Sequence, residues 1–471
     1  MSVNGEKLDA GGDNSAGPRS SSLAGYLALS GLQWLRRSQS LKLLRQIAPA
    51  PFLTADEVRA EQFRRLSELL AHAEAHVPYY REVFRSLGIG SRDIRSVKDL
   101  AQLPILTKDI LRERGKDLVR DDVPLASLSV HHSGGSTGVP VTFYRDRLYM
   151  DASEAGTFRN FTQCGWRPGD MIAFFWGSNE RLQQMSRTEF ELRQRVRRMY
   201  QFDPFHSGPK EMEGWLERWP SLQPTVALGY ASTIARFADF IEQSGKRVGP
   251  LRGVFTTAEK LYLPQRETIE RVFGCHAYDC YGSSEVQNIA AECSNGSMHV
   301  NVDYVVLEVD QLAGGPEDPS PLLVTSLWNY AMPFIRYRNE DCGELAAGTC
   351  GCGNNFPLMK LNVARISDSF TLPDGRVVHG EFFTHLMYGS EGIATFQFHQ
   401  TSLDHITLWI VPSGPSERRE KTVIKAVEQI KALTPAALTV EVRETDAIPL
   451  SAAGKHRFTR SDVAVQSVGS Q

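Results

Sequence analysis

The chain of 471 residues has no apolar run approaching the ~20 residues needed to cross a bilayer. Its longest early stretch, Leu27 to Leu35, is broken by Ser30, Gly31 and Gln33. Charge of one sign is also missing. There are 52 basic and 55 acidic side chains, for a formal net charge of −3. That balance points to neither nucleic acid nor an anionic membrane as partner. Cysteine is sparse, and its odd count of 7 argues against a disulfide framework. Residues 1–22 are rich in Gly, Ser, Asp and Asn and lack a basic segment leading into an apolar core. They predict a disordered leader, not a signal peptide, and a cytoplasmic protein. No internal repeat is apparent.

What is present is ordinary globular composition, 41% hydrophobic and 23% charged, at a length that implies two or three domains. Thr54-Ala55-Asp56-Glu57 reads as a capping box ahead of Phe63, Leu66, Leu69, Leu70 and Ala73 at helical spacing. His76-Val77-Pro78 closes that helix. Further on, strands and helices alternate. Met171 to Trp176, Leu251 to Thr256 and His276 to Cys280 read as strands. Helices carry Ile234, Phe237, Phe240 and Ile241, and run from Pro264 to Phe273. This order predicts an α/β fold with mixed or parallel sheets and crossover helices, with ligands at the carboxyl ends of strands. A boundary is expected near Asn362 to Ser367. Beyond it, Ile406 to Val411 and Leu438 to Val442 alternate like half-exposed strands, with a helical stripe between them. The expected organisation is a large domain over 23–363 and a small α+β domain over 364–471.

The most informative segment is His131-His132-Ser133-Gly134-Gly135-Ser136-Thr137-Gly138-Val139-Pro140. Its glycines let backbone amides approach an anion closely, and its hydroxyls add uncharged donors. A Gly/Ser-rich run can also be a plain linker. Here it interrupts a structured region, and the strand-like Val141-Thr142-Phe143-Tyr144 follows at once. The missing Gly-Lys-Ser/Thr ending argues against a Walker loop.

Four more features accompany it: Thr256-Thr257-Ala258-Glu259, Asp279-Cys280-Tyr281-Gly282-Ser283-Ser284-Glu285, Pro333-Phe334-Ile335-Arg336-Tyr337-Arg338-Asn339-Glu340-Asp341, and Gly454-Lys455. Singly each has a bland reading as a turn, a solvated ion pair or a surface lysine. In this order they resemble the adenylate-forming superfamily of acyl-CoA synthetases, nonribosomal adenylation domains and luciferases. Within it the likeness is to phenylacetate-CoA ligases and the group associated with capsular polysaccharide synthesis. It spans about Leu66 to Lys455 and includes His76-Val77-Pro78-Tyr79-Tyr80 and Leu103-Pro104-Ile105-Leu106-Thr107-Lys108.

The resemblance implies an AMP-binding large domain, a mobile C-terminal lid and specific roles. Ser133, Gly134, Gly135, Ser136, Thr137 and Gly138 would hold the β- and γ-phosphates of ATP. Ala258 and Glu259 would lie against adenine, with Tyr281 and Gly282 as the other wall and Asp279 near its amino group. Ser284 would donate to the α-phosphate, Glu285 would hold Mg²⁺, and Asp341 would accept the ribose hydroxyls beside Arg365. Lys455 would reach the α-phosphate and the carboxylate during adenylation. The chain departs from the family pattern at Ala364-Arg365, where Gly-Arg is usual, and at Asn339-Glu340, where Thr-Gly is usual. Ser367 or Asp368 stands at the expected hinge.

Cys293, His299, Cys350 and Cys352 form a separate pattern. Free cysteines are most often buried small hydrophobes. Two thiols one residue apart in a Gly-rich loop are harder to explain that way, and with Cys293 and His299 they would make a closed Cys₃His zinc site of structural type. Zinc-bearing members of the ligase group resemble the chain at all four positions. Cys342 is the alternative ligand.

The expected activity is ATP- and Mg²⁺-dependent activation of a small carboxylic acid, followed by acyl transfer to coenzyme A. Transfer to an amine is the alternative acceptor chemistry, and a silent adenylate-fold scaffold is the alternative of another class. The acyl pocket is expected between Phe174 to Asn179, Gly229-Tyr230-Ala231 and the residues flanking Thr256 and Tyr281. Phe175, Trp176 and Tyr230 favour an aryl or apolar acid. A homodimer is the default oligomeric expectation.

Overall fold

Helix Ala55–His76 shows how local chemistry sets the N-terminal region. The Glu57 amide donates to Thr54 Oγ1, and the Thr54 amide donates to the Glu57 carboxylate at 2.8 Å, closing the capping box. Pro78 ends this helix but opens the next, Pro78–Leu87, because its missing N–H and fixed φ suit a first helical position. The computed structural model describes the chain apart from residues 1–22, 133–140, 178–185, 205–206, 259–260, 262, 311–320, 364–369, 375, 379, 388–391, 413–415, 434–437, 450–457 and 464–471.

An 11-stranded sheet forms the main body. One half is parallel, in spatial order Met199–Phe202, Ile172–Phe175, Val226–Tyr230, Gly253–Thr257 and His276–Tyr281. Helices Arg187–Arg197, Pro209–Leu222, Ala231–Gln243 and Leu263–Phe273 connect these strands. The strands are apolar almost throughout because helices cover both faces. Gly245 and Gly274, with φ of +67° and +61°, end two of the helices in the left-handed conformation that glycine adopts without strain.

After His276–Tyr281 the chain reverses. Ala290–Glu292 pairs antiparallel with its end, Tyr281 opposite Ala290. The sheet continues through Met298–Val300, Leu358–Val363, Tyr337–Ala346, Pro321–Ser326 and Val305–Val309, all antiparallel. One joint is thin: Met298–Val300 meets Leu358–Val363 through the single pair Leu358–His299.

This antiparallel half cannot be flat. Strand Tyr337–Ala346 lies four positions from His276–Tyr281, which in a flat sheet would separate them by about 19 Å. The Tyr281 hydroxyl nevertheless donates to Asp341 Oδ2 at 2.9 Å. A tyrosine side chain bridges less than half of the flat separation, so the sheet curls back on itself.

Three apolar cores follow this layout. The first joins the N-terminal helices to the antiparallel half. The second packs the parallel sheet on its helices around Phe175, Trp215, Trp219 and Phe237. The third draws only on residues between Phe370 and Phe458. It lies between helix Ser416–Leu433 and a sheet ordered Thr439–Glu444, His405–Pro412, Ile393–Ser402 and Thr459–Ser461. Residues 1–22 and 364–369, where a leader and a hinge are expected, lie outside the described residues.

The sheet order changes direction at Ile172–Phe175, which is flanked by the strands that follow it on both sides. Such switch points leave a crevice at the strand carboxyl ends. Gly229 makes the close approach possible there, since a Cβ at that position would sit 2.2 Å from the Phe175 carbonyl oxygen. Gly229→Ala is therefore expected to cost about 3 kcal/mol, read as a lowered urea midpoint with an unchanged slope.

Candidate functional site

Strand Tyr337–Ala346 builds one wall of the site by simple alternation. Residues two apart share a face, so Tyr337, Asn339 and Asp341 point the same way. The Tyr337 hydroxyl donates to Glu285 Oε1 at 3.2 Å. The Asn339 amide donates to the Tyr281 hydroxyl at 2.7 Å and to Asp341 Oδ2 at 3.3 Å. With the bond from Tyr281 to Asp341, these join the loop after the last parallel strand to the returning antiparallel strand. Asn339, a departure from the family pattern in sequence, is a centre of this network.

Glu285 is fully buried, and among the described residues its Oε2 has no hydrogen-bond partner. A buried carboxylate oxygen left without a donor is costly unless a cation or ligand satisfies it. The donor set therefore fits a hard divalent cation. Ser284, next in line, is exposed and free to reach a ligand.

The hairpin Ser129–His132 and Thr142–Arg145 brackets the Gly/Ser loop, with His132 opposite Thr142. Strand–loop–strand connectivity differs from the strand–loop–helix of a Walker site, in agreement with the absent lysine. Arg145, at the end of the hairpin, is only 4% exposed and donates to the Ser284 carbonyl. It lies over the rings of Phe143 and Tyr149 at 5.0 and 4.9 Å, and no carboxylate pairs with it among the described residues. Sequence reading missed this arginine. It ties the hairpin to the Tyr281–Glu285 loop and leaves its Nε without an acceptor. His131 beside it is held neutral, its pKa lowered to about 4 by burial and by the Arg145 charge.

At the adjacent strand ends, Ala258 takes a left-handed φ of +67°, a strained conformation for a residue with a Cβ. Asp279 is mostly buried. Burial and then the Glu292 charge raise its pKa to about 6, against a hydrogen bond from the Leu261 amide. Glu292 in turn is held by Arg266 at 2.7 Å and accepts the Asp279 amide at 2.8 Å. At the switch point Trp176 stacks on Tyr230 at 4.7 Å and on Phe174 at 5.7 Å. Phe175 differs from expectation. By strand alternation it faces the opposite side and packs in the core against Phe202 and Trp215, so it lines no pocket.

Cys293, His299, Cys350 and Cys352 converge, with ligand atoms all within 4.8 Å of one another. The Cys293 and Cys350 sulfurs are 3.7 Å apart, and Cys352 Sγ is 3.4 Å from His299 Nε2. A tetrahedral zinc with Zn–S near 2.3 Å and Zn–N near 2.0 Å sets these edges at about 3.8 and 3.5 Å. His299 Nδ1 lies 2.9 Å from the Phe356 carbonyl, which turns Nε2 inward. The Asn354 amide donates to Cys352 Sγ at 3.4 Å. A hydrogen bond from Ser297 lowers the Cys350 thiol, while burial raises that of Cys352. The cluster sits on the thin joint of the sheet, where His299 itself forms the single strand pair. The side chain of Cys342 lies outside the described residues.

Of the sequence-predicted residues, the structure brings together Tyr281, Gly282, Ser284, Glu285 and Asp341, with Ala258 and Asp279 on neighbouring strand ends. Ser133, Gly134, Gly135, Ser136, Thr137, Gly138, Glu259, Arg365 and Lys455 lie outside the described residues.

Residues 370–462 match the family described as the CapK C-terminal domain. Protein CapK of Staphylococcus aureus is 22% identical over 430 residues, covering 85% of this chain and 89% of that protein. Phenylacetate-coenzyme A ligase of Escherichia coli strain K12 is 29% identical over 330 residues, covering 64% of this chain and 71% of the enzyme. The solved structure of 2-hydroxyisobutyryl-CoA ligase with 2-HIB-AMP and CoA, in its thioesterification state, matches with a TM-score of 0.60 at 20% identity, over 88% of this chain and 92% of that one.

The raised Asp279 carboxyl has a signed consequence. Between about pH 4 and 6 the folded protein retains a proton that the unfolded chain has released, so stability falls as pH rises through that window. Asp279→Asn is expected to stabilise by about 3 kcal/mol above roughly pH 7 and by much less near pH 4. Urea unfolding at both pH values checks this; an equal gain at both would assign the effect to packing.

Proposed function

We propose that this chain, whose fold is that of the adenylate-forming superfamily and whose sequence is similar to CapK and the phenylacetate-CoA ligases, activates a carboxylic acid with ATP and transfers the acyl group to coenzyme A. The observation that carries the reading is the closed network of Tyr281, Asn339 and Asp341 beside Glu285 and its unpaired buried oxygen. It offers acceptors for ribose hydroxyls and a carboxylate for a metal ion at the ends of the strands, next to the hairpin that carries the Gly/Ser loop.

In this reading the amides and hydroxyls of Ser133 to Gly138 hold the β- and γ-phosphates. Ala258 and Glu259 line one side of adenine, Tyr281 and Gly282 the other, and Asp279 accepts from its amino group. Asp341 and Arg365 position the ribose. Ser284 donates to the α-phosphate, and Arg145 holds the Ser284 backbone in place. Mg²⁺ held by Glu285 would neutralise charge on the departing pyrophosphate. Lys455, on a lid formed by residues 364–471, stabilises the charge that develops as the carboxylate attacks the α-phosphorus. Motion of that lid then admits the thiol. The stacked face of Trp176 and Tyr230 at the switch point suits a flat or apolar acyl group.

We assign a structural zinc to Cys293, His299, Cys350 and Cys352, since four protein donors leave no open position for substrate. It would lock the joint between the strand leading to Tyr281 and the one bearing Asp341. About one zinc per chain is expected in protein purified without chelator, and Cys352→Ser is expected to lose it with a lower melting temperature. Metal-free wild-type protein with unchanged stability would contradict the assignment.

For the reaction, exchange of labelled pyrophosphate into ATP should depend on an added carboxylic acid, tested with phenylacetate and other aryl and alkyl acids. Lys455→Ala and Glu285→Gln are each expected to lower it at least about 100-fold. Acid-independent exchange, or rates unmoved by either substitution, would overturn the adenylation reading. Adding coenzyme A or amines to a productive acid identifies the acceptor.

A further inference from the structure

Helix Leu23–Leu35 is apolar on both faces. Gly25, Leu29 and Gln33 turn inward, and the helix packs along Arg187–Arg197. The opposite face carries Leu23, Leu27, Trp34 and Leu35, which are 73%, 59%, 78% and 73% exposed. Helical spacing places these four within one arc, so they form a patch and not scattered singles. The charges that follow it in sequence are of one sign. From Asn14 to Ala55 the sequence contains no Asp or Glu, while Arg36, Arg37, Lys42 and Arg45 follow the helix directly. The near-neutral total of the chain conceals this local excess. Burial first, then the Arg36 charge, lower the Arg197 pKa, against the Glu154 carboxylate and with a smaller contribution from Arg193.

We propose that this face docks on an anionic bilayer surface, with the helix lying in the interface and not crossing it. An exposed Trp and Leu face bordered by arginines is the chemistry such surfaces take up: apolar side chains enter the acyl boundary while guanidinium groups meet lipid phosphates. A second copy of the chain fits poorly. A two-fold interface sets the same patch against itself and would bring Arg36 and Arg37 of the two copies together, while Asp151 and Glu154 beside the following segment are engaged with Ser38, Gln39 and Ser40. The preceding 22 residues fit poorly too, because Met1, Val3 and Leu8 are their only large apolar side chains. The composition-based expectation of no membrane partner is thereby narrowed to no spanning segment.

The test uses the full chain and flotation with vesicles of phosphatidylcholine alone or with roughly 30 mol% phosphatidylglycerol. Binding is expected to the anionic vesicles and to fall with added salt. Arg36→Gln with Arg37→Gln is expected to weaken it about thirty-fold, about fivefold for each charge. Trp34→Ala with Leu35→Ala is expected to weaken it at least about tenfold. Both pairs are exposed, so melting temperatures should match the wild type. The proposal is overturned by an absence of wild-type binding at low salt or by binding unchanged in the variants. A wild-type dimer in light scattering that dissociates in Trp34→Ala with Leu35→Ala would overturn it as well, by assigning the face to a second copy.

Discussion

The site depends on closure of the antiparallel half of the main sheet, secured by the hydrogen bond from the Tyr281 hydroxyl to Asp341. Tyr281 ends the last parallel strand, and Asp341 lies four strands away. Only a sheet curled back on itself can bring them together. Asn339 completes the contact, so that two buried side chains are satisfied across the gap. Each of these groups left unpaired would cost about 1–3 kcal/mol, so curl and network support one another. The Cys/His cluster occupies the weakest joint on the path between the two halves. The zinc proposed there would resist the slippage that opens the network.

In the proposed reaction the Gly/Ser loop carries no lysine of its own. Its hairpin is anchored through Arg145 to the backbone of Ser284, which ties strand Thr142–Arg145 to the Tyr281–Glu285 segment. In the proposed reaction the mobile cation comes from a different part of the chain. A charge that arrives with a closing lid acts only when the site is filled, whereas a fixed one would act at all times.

Legibility in the sequence was uneven for physical reasons. Three of the five parallel strands could be read, at Met171–Trp176, Leu251–Thr256 and His276–Cys280, because strands buried on both faces are apolar runs; Met199–Phe202 and Val226–Tyr230 were not named as strands. The capping box at Thr54 and the glycine stops at Gly245 and Gly274 are local, so they too were visible. The pairings of the antiparallel half were not, since they join residues far apart in sequence and the curl leaves no periodic signal. Asn339 appeared only as a departure from a family pattern; the alternation of Tyr337, Asn339 and Asp341 was the signal that could have placed it. Phe175 and Trp176 are neighbours in sequence and on opposite faces in the fold, one core and one available to ligand. Arg145 sits immediately after the apparent strand Val141 to Tyr144, where a charged residue reads as surface.

The nucleotide product distinguishes this arrangement from any ordinary ATPase. In the proposed reaction a neutral Gly/Ser loop would hold the phosphates and Lys455 would be directed at the α-phosphorus, which implies cleavage between the α- and β-phosphates. Phosphorus NMR of the protein incubated with ATP, Mg²⁺, coenzyme A and a carboxylic acid reads this directly. The predicted result is AMP and pyrophosphate in amounts matching the acid consumed. ADP and orthophosphate would contradict it.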